Sequence, residues 1–165
     1  MNKVYKKLGV LCRSKPGPAI IPRILILMVI LSLSAGCASS ITSDVDPNVE
    51  LSTVTAFYVQ RFEPDQRGLE KIIADDLLSR GFTATYGEAE KTDEQVDAIV
   101  TYRDKWMWDI TMYMIEIAIE LHDPETGYVF ASGQSYHTSL ARQSPPEMVG
   151  EVFDELFGVP ENREE

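Results

Sequence analysis

The clearest pattern in the chain is an alternation of apolar and polar positions over residues 112–121. Successive side chains of a strand point to opposite faces, so a period of two predicts a half-buried antiparallel strand with one apolar face. The side chains predicted on the apolar face are Tyr113, Ile115, Ile117, Ile119 and Leu121. Those predicted on the opposite, mixed face are Met112, Met114, Glu116, Ala118 and Glu120.

Runs rich in β-branched and aromatic residues predict further strands. These runs cover residues 51–59, 82–86, 96–108 and 128–138. We expect the third run to continue as one strand through both tryptophans and to turn only after them. A turn at Arg103–Lys105 is the alternative.

The segment Asp123–Gly127 predicts a turn, because it places Pro and Gly at positions that turns favour. The turn would join residues 112–121 and 128–138 into a hairpin. Within the second strand of that hairpin, the pair Ser132-Gly133 predicts a β-bulge.

Apolar residues spaced with a period of 3.6 predict two helices, each with one buried stripe. Asp65 is expected to cap the first helix, and Gly81 to end it, because glycine adopts the left-handed conformation at low cost. Ser144 and Glu147 predict a capping box at the second helix, with Pro145 at its first position. The stripes are Leu69, Ile72, Ile73 and Leu77 in the first helix, and Met148, Val149, Val152, Phe153 and Leu156 in the second.

Two helices with one apolar stripe each are expected to cover the same face of a sheet. For residues 49–158 we therefore predict an α+β fold. It would be a two-layer sandwich in the order β-α-β-β-β-α, with a mostly antiparallel four-stranded sheet and two helices on one face. Residues 37–48 are rich in Ser, Thr, Asp and Pro and predict a flexible tether, and residues 159–165 predict a frayed acidic tail.

Residues 1–36 have the composition of a secretory signal peptide. Six Lys and Arg residues and no acidic residue precede the apolar run 24–32, and small residues follow it. A transmembrane helix needs about 20 apolar residues, so this run is too short to span a bilayer.

The segment Leu33-Ser34-Ala35-Gly36-Cys37 resembles a bacterial lipobox, although an aliphatic residue is usual where Ser34 stands. The resemblance implies cleavage before Cys37 and a lipid on its sulfur. Ala38, rather than Asp, follows the cysteine, and by resemblance to Gram-negative sorting this implies the outer membrane, with the domain facing the periplasm. In a Gram-positive cell the same signal would imply the outer face of the plasma membrane. The alternative is an ordinary signal peptide with a chance cysteine.

Removal of residues 1–36 takes six of the 15 basic residues and none of the 26 acidic ones, which leaves 129 residues with a net charge of −17. Such a surface repels nucleic acid and anionic headgroups, so we expect no nucleic-acid partner. Cys12 is lost with the signal peptide and Cys37 would be lipidated, which leaves no thiol for a disulfide, a metal site or catalysis. Acidity would also suit a basic partner.

Both tryptophans lie in the stretch Arg103–Asp109. Trp, Tyr and Met are frequent at contact surfaces and, for Trp and Tyr, at membrane interfaces. We therefore identify Trp106, Met107 and Trp108 as candidate contacts for a partner or for the membrane interface. The alternative is that the indoles belong to the core.

The search for catalytic chemistry gives one candidate, since Ser135, His137 and Ser139 alternate on one strand and share a face. A hydrolase needs a Ser–His–acid geometry with an oxyanion hole, and the sequence has no Gly-x-Ser-x-Gly turn. It also has no Gly-rich phosphate loop. We predict no enzyme activity, no cofactor and no metal site.

The lipobox, the strand–helix–strand opening, the strand Val-Asp-Ala-Ile-Val-Thr-Tyr and the hairpin Leu-His-Asp-Pro-Glu-Thr-Gly-Tyr-Val-Phe-Ala-Ser-Gly resemble one group of proteins. The group consists of small uncharacterised Gram-negative envelope lipoproteins, loosely similar to the N-terminal domain of TolB. It implies no catalytic residues. We expect a non-enzymatic, lipid-anchored envelope protein that presents a small domain to a protein partner. The alternative is a binder of a small apolar or envelope-derived ligand, with a pocket between sheet and helices near residues 112–114.

Overall fold

The computed structural model describes residues 39–88 and 95–159. The predicted signal peptide, Cys37 and nearly all of the acidic tail lie outside these residues. The elements are β1 Ser40–Val45, β2 Ala56–Gln60, α1 Leu69–Ser79, β3 Thr83–Gly87, β4 Ala98–Trp108, β5 Met112–His122, β6 Val129–Tyr136 and α2 Pro145–Phe157, with a short 3-10 helix at Leu51–Thr53.

The strands form one mixed sheet in the order β1-β6-β5-β4-β2-β3. The pairs β1–β6, β6–β5 and β5–β4 are antiparallel, whereas β2 runs parallel to both β4 and β3. The prediction of a mostly antiparallel four-stranded sheet is therefore wrong. The fold is still a sheet with helices, but the sheet has six strands and one parallel region.

Three features explain the error in strand count and direction. The predicted order counted one strand fewer than the strand-like runs of the sequence itself. A further strand, β1, forms within the segment expected to be a tether, where Ser40–Val45 pair with β6 from Ser40↔Tyr136 to Val45↔Ala131. The parallel region arises because α1 connects β2 to its neighbour β3, and a helical crossover of this kind brings two strands into parallel pairing.

The core lies between the sheet and the two helices. Both predicted stripes face it: Leu69, Ile73 and Leu77 are buried in α1, and all five stripe residues are buried in α2. The buried strand residues opposite them include Phe57, Val59, Val100, Tyr102, Ile117, Ile119 and Leu121.

Arg80, at the end of α1, joins the two helices. Its buried guanidinium bonds Asp76 Oδ2 at 2.5 Å, Asp154 Oδ1 at 2.6 Å and the carbonyl of Gly150 at 3.0 Å. Gly81 follows with a φ of +89°, which places the chain in the left-handed region, so the predicted end of the helix is confirmed.

The start of α2 agrees with the sequence, whereas α1 begins later than a cap at Asp65 would place it, at Leu69 with Gly68 as its N-cap residue. Ser144 and Glu147 form the predicted capping box, with Pro145 at the first position of α2. At α1 the Asp65 carboxylate accepts the N–H groups of Leu69 at 2.7 Å and Arg67 at 2.6 Å. Burial raises the pKa of Asp65, but the hydrogen bonds of the Arg67 and Leu69 N–H groups, together with those of Tyr102 and Glu70, lower the pKa overall.

The bulges lie elsewhere than predicted. Ser132 and Gly133 pair regularly with β5, whereas the ladder shifts between Leu121 and His122 and between Lys105 and Trp106. At the second shift the partner changes from Glu116 to Met114, which leaves Ile115 without a partner of its own in β4. Between Met112 and Glu116 the alternation predicted for β5 is therefore reversed. Met114 is buried in the core instead of lying on the opposite face of the sheet.

Gly133 serves packing rather than a bulge. A Cβ at this position would lie 2.6 Å from Cγ1 of Val152 on α2. The absence of a side chain therefore lets the second helix approach the sheet closely.

Candidate functional site

A cluster of exposed apolar side chains marks one end of the sheet, where β4 turns into β5. We call this cluster the hairpin tip. Trp108 is 67% exposed, Ile110 at the apex is 89% exposed and Leu140, from the loop after β6, is 80% exposed. Met107 and Met112 are each nearly half exposed. Apolar side chains grouped in this way mark contact surfaces more often than single exposed ones do.

The three residues predicted as partner contacts do not behave alike. Trp106 is partly buried against the core, with the Arg67 guanidinium 4.2 Å from its ring centroid and its indole N–H donated to Asp104. Met107 and Trp108 lie beyond the core and are exposed. Trp106 thus packs with the core, as the alternative interpretation expected. Met107 and Trp108 instead fit the interpretation as a contact surface.

The loop after β6 is fastened to the hairpin tip through Arg142. Its guanidinium pairs with Asp109, bonds the hydroxyl of Thr111 at 3.1 Å and covers the ring of Tyr113 at 3.9 Å. The Ile110 N–H, followed by Thr111 and Arg142, lowers the pKa of Asp109. These contacts join the loop that carries Leu140 to the hairpin that carries Ile110.

The start of the described chain lies toward the same end. Ser40 pairs with Tyr136, and Tyr136 pairs in turn with Glu116, which lies four residues from the start of β5. Strand β1 runs antiparallel to β6, so its first residue is its nearest to the hairpin tip. Cys37 precedes Ser40 by three residues.

The opposite end of the sheet is acidic and polar. We call it the turn end, and it comprises residues 44–55, 95–97 and 122–128. Three of its carboxylates accept hydrogen bonds from the loops around them, and Asp97 accepts the N–H groups of Thr55 and Ala56 at 2.8 and 3.0 Å. Asp46 accepts the Tyr128 hydroxyl at 2.6 Å, and Asp123 accepts Thr126 N–H and hydroxyl at 2.7 Å.

These hydrogen bonds favour the charged carboxylates. The pKa of Asp97 is lowered by the Thr55 and Ala56 N–H groups. The pKa of Asp46 is lowered first by Tyr128, and that of Asp123 first by the Thr126 hydroxyl. A cleft of about 380 Å³ opens at this end between Val49, Val54, Pro124, Tyr128 and Phe130.

The candidate serine and histidine meet at one carboxylate. Ser135 Oγ donates to Glu151 Oε2 at 2.7 Å, and His137 Nε2 lies 2.7 Å from the same oxygen. In a Ser–His–acid relay the histidine would lie between the other two groups. Here the acid lies between them, so the imidazole is not placed to take the serine proton, and Ser139 is exposed outside the cluster.

Tests for a metal or ligand site give little within residues 39–88 and 95–159. No group of three or more His, Cys, Asp and Glu side chains in these ranges is placed to hold a metal ion. In the same ranges, no helix is long and apolar enough to cross a membrane. Of the methionines expected near a ligand pocket, Met114 is in the core and Met112 is at the hairpin tip.

The architecture is that of a two-layer α+β domain with a six-stranded mixed sheet. No protein-family model and no curated protein matches the chain. The fold is similar to that of PelC from Paraburkholderia phytofirmans, solved as a dodecamer. One PelC structure is 13% identical with a TM-score of 0.52, covering 73% of this chain and 96% of PelC. A point variant of PelC gives 15% identity and a TM-score of 0.53, covering 71% and 98%.

A PDZ domain protein from Parabacteroides distasonis is 11% identical, covering 78% of this chain and 37% of that protein, with a TM-score of only 0.42. At these identities the PelC comparison shows a shared fold and nothing about activity. The resemblance to the N-terminal domain of TolB stays a prediction.

Sequence reasoning identified Met107 and Trp108 but not the other three members of the hairpin tip, Ile110, Met112 and Leu140. Ile110 and Leu140 are each a lone apolar residue in a polar loop. The signal that could have found them is this same isolation, since an apolar residue at the apex of a turn has no sheet face on which to be buried.

Proposed function

We propose that this chain is a lipid-anchored, non-enzymatic envelope protein that holds its domain against the membrane and presents the turn end to a protein partner. The observation that carries the proposal is the distance in sequence between Cys37 and β1. Only Ala38 and Ser39 separate the predicted lipid attachment from a strand of the central sheet. A lipid on Cys37 would therefore hold the folded domain on the membrane, with the end of the sheet nearest Cys37 always facing the bilayer.

The turn end is the surface that such an anchor leaves accessible. It combines an open cleft with exposed Tyr128 and Val129 beside carboxylates whose charge the loops maintain. Among the described residues 44–55, 95–97 and 122–128 there is no Lys or Arg. A partner segment with basic and aromatic or aliphatic side chains would complement it, since tyrosine is frequent in protein contacts.

The test has an anchor arm and a partner arm. Intact-mass measurement of the protein purified from membranes should show a lipid on Cys37, and a Cys37→Ala chain with a soluble signal should be released from the membrane. A photo-crosslinking residue at Tyr128 should capture one defined envelope protein from wild-type cells and much less of it from Cys37→Ala cells.

The matched control places the same crosslinker at Leu140, which is exposed at the hairpin tip, the opposite end of the sheet. An unmodified Cys37 would overturn the anchor. Equal capture from Tyr128 and Leu140 would overturn the turn end as the docking surface.

A further inference from the structure

We infer that the hairpin tip is a second membrane contact, which rests on the lipid interface beside the anchor and fixes the orientation of the domain. The inference rests on the proposed lipidation of Cys37 and adds a site to it. The site comprises Met107, Trp108, Ile110, Met112 and Leu140. Its occupant is the headgroup and upper acyl region of a phospholipid bilayer.

The reach of the chain decides which end of the domain faces the membrane. Three Cα–Cα steps lead from Cys37 to Ser40 and span at most about 11 Å. The turn end lies six residues beyond Glu116 along β5, which is about 20 Å from the level of Ser40. A lipid on Cys37 therefore cannot reach the turn end. The hairpin tip is nearer, because Met112 lies four residues, about 13 Å, from Glu116 in the other direction. The anchored end of the domain is therefore the end that carries the hairpin tip.

The chemistry of the tip suits a lipid interface. Trp108 and the neighbouring Tyr113 have amphipathic rings, which favour the level of the headgroups. Ile110 and Leu140 extend beyond them and offer aliphatic side chains to the acyl boundary. The nearby Asp109 is paired with Arg142, and Asp104, which keeps its charge, accepts the indole N–H of Trp106.

The charge distribution favours the same orientation. Although the mature chain is strongly acidic, Arg67, Lys105 and Arg142 lie beside the tip, where Arg67 and Arg142 cover aromatic rings. The turn end carries acidic groups and, among its described residues, no Lys or Arg. Because Asp109 neutralises Arg142, the excess of positive charge at the tip is small, but anionic headgroups would still repel the turn end more strongly than the tip. Electrostatics and the anchor therefore favour the same orientation.

The two tryptophans of the chain provide a direct test. Trp106→Phe leaves Trp108 as the only indole, and Trp108→Phe leaves the partly buried Trp106. Each lipidated protein is reconstituted in phosphatidylcholine and phosphatidylglycerol vesicles, with or without bromine on the upper acyl chains. We expect brominated lipid to reduce Trp108 emission by about half or more, because interfacial side chains reach about 5–10 Å into the boundary. Trp106 emission should change far less.

A control places the fluorophore at the other end: Tyr128→Trp in a chain with both Trp106→Phe and Trp108→Phe should show no quenching. If Trp106→Phe does not fold, the quenching of Trp108 is obtained from the difference in quenching between wild type and Trp108→Phe. Unquenched Trp108 in a protein whose mass includes the lipid would overturn the membrane contact alone. Shielding of that Trp108 from iodide in native envelope fragments would then assign the tip to a protein. A mass without lipid would instead overturn the proposed anchor, and with it the role of the hairpin tip as a second membrane contact.

Discussion

The two ends of the sheet use their polar and apolar side chains in opposite ways. At the turn end, Asp46, Asp97 and Asp123 each accept hydrogen bonds from the loop that surrounds them. At the hairpin tip, Trp108 and Ile110 are exposed, although Trp106 two residues earlier is packed against the core. The turn-end acids are thus explained by the stability of their own loops.

The tip residues have no such explanation inside the domain. An exposed tryptophan and isoleucine at a hairpin apex contribute little to folding and favour association. Three acids at the turn end thus serve the loops that contain them, whereas the small apolar cluster is the feature that points to something outside the domain. Variants of the core and of both ends test this division.

Gly133→Val should have the largest effect, because its new side chain would occupy the space of Val152. Overpacking of this kind typically costs about 1–3 kcal/mol. We expect both ends to lose protection together in hydrogen exchange, with a lower midpoint in urea. Ser132→Val is the matched control, since Ser132 lies on the open face of the same strand and should tolerate a β-branched side chain. Loosening of only one end in Gly133→Val would show that the ends are not one cooperative unit.

Two tyrosine–aspartate pairs allow a direct comparison between the interior and the turn end. Tyr102 donates to Asp65 at 2.9 Å and accepts the Phe62 N–H at 3.3 Å, all in a buried setting. Burial, followed by the charge of Asp65, raises the pKa of Tyr102, so its hydroxyl stays protonated as a donor. Tyr102→Phe should cost about 1–2 kcal/mol, because it leaves buried groups without a partner.

Tyr128→Phe is the control for this variant, since Tyr128 donates to Asp46 at 2.6 Å on an exposed surface. We expect a much smaller change in the urea midpoint for that variant, because solvent screens the exposed pair. Equal losses for the two variants would mean that the exposed turn-end pair contributes as much as the buried one.

Much of the fold could be predicted from local signals. The second helix is an example, because the capping box at Ser144, the proline beside it and the apolar stripe all act within a few residues. Strand β1 could not be predicted this way. Its residues, Ser40–Val45, are mostly exposed on both faces, so pairing with β6 rather than burial decides its structure.

The candidate site was predictable only in part for a related reason. An alternation pattern puts Trp106 and Trp108 on the same face of β4, but it does not say where the helices that cover that face end. Met114 shows the same limit, since one unpartnered residue, Ile115, reverses the faces of the strand below it. Composition located the tryptophans, and only the packing distinguished the buried one from the exposed one.

The turn-end carboxylates predict how stability depends on pH. The pKa values of Asp46, Asp97 and Asp123 in the folded protein are lowered below the ordinary 3.8 by their hydrogen bonds. The folded state therefore binds fewer protons than the unfolded state near that pH. The stabilisation is complete above the unfolded value and is lost as the pH falls through the folded values. Urea midpoints measured from pH 7 to pH 2 should fall below about pH 4.

The variant Asp97→Asn isolates the contribution of one of these carboxylates to the pH dependence of stability. The variant should be less stable than wild type at pH 7, and the difference should narrow in acid, where Asp97 of the wild type is also neutral. Asp75→Asn, on the exposed side of α1, removes the same charge and is the control. A constant difference between Asp97→Asn and wild type from pH 7 to pH 2 would contradict a role for the charged form.

The smallest effect on folding is expected at the hairpin tip. The double variant Trp108→Ser with Ile110→Ser removes the two most exposed apolar side chains of the hairpin, and surface changes of this kind stay within about 0.5 kcal/mol. Trp106→Ser is the contrasting variant, because it removes an indole that packs against the core beneath Arg67 and should lower the urea midpoint clearly. Binding of a hydrophobic dye should fall in the double variant at unchanged stability. If the double variant instead unfolds as readily as Trp106→Ser, the tip is a part of the core and the contrast between the two ends disappears.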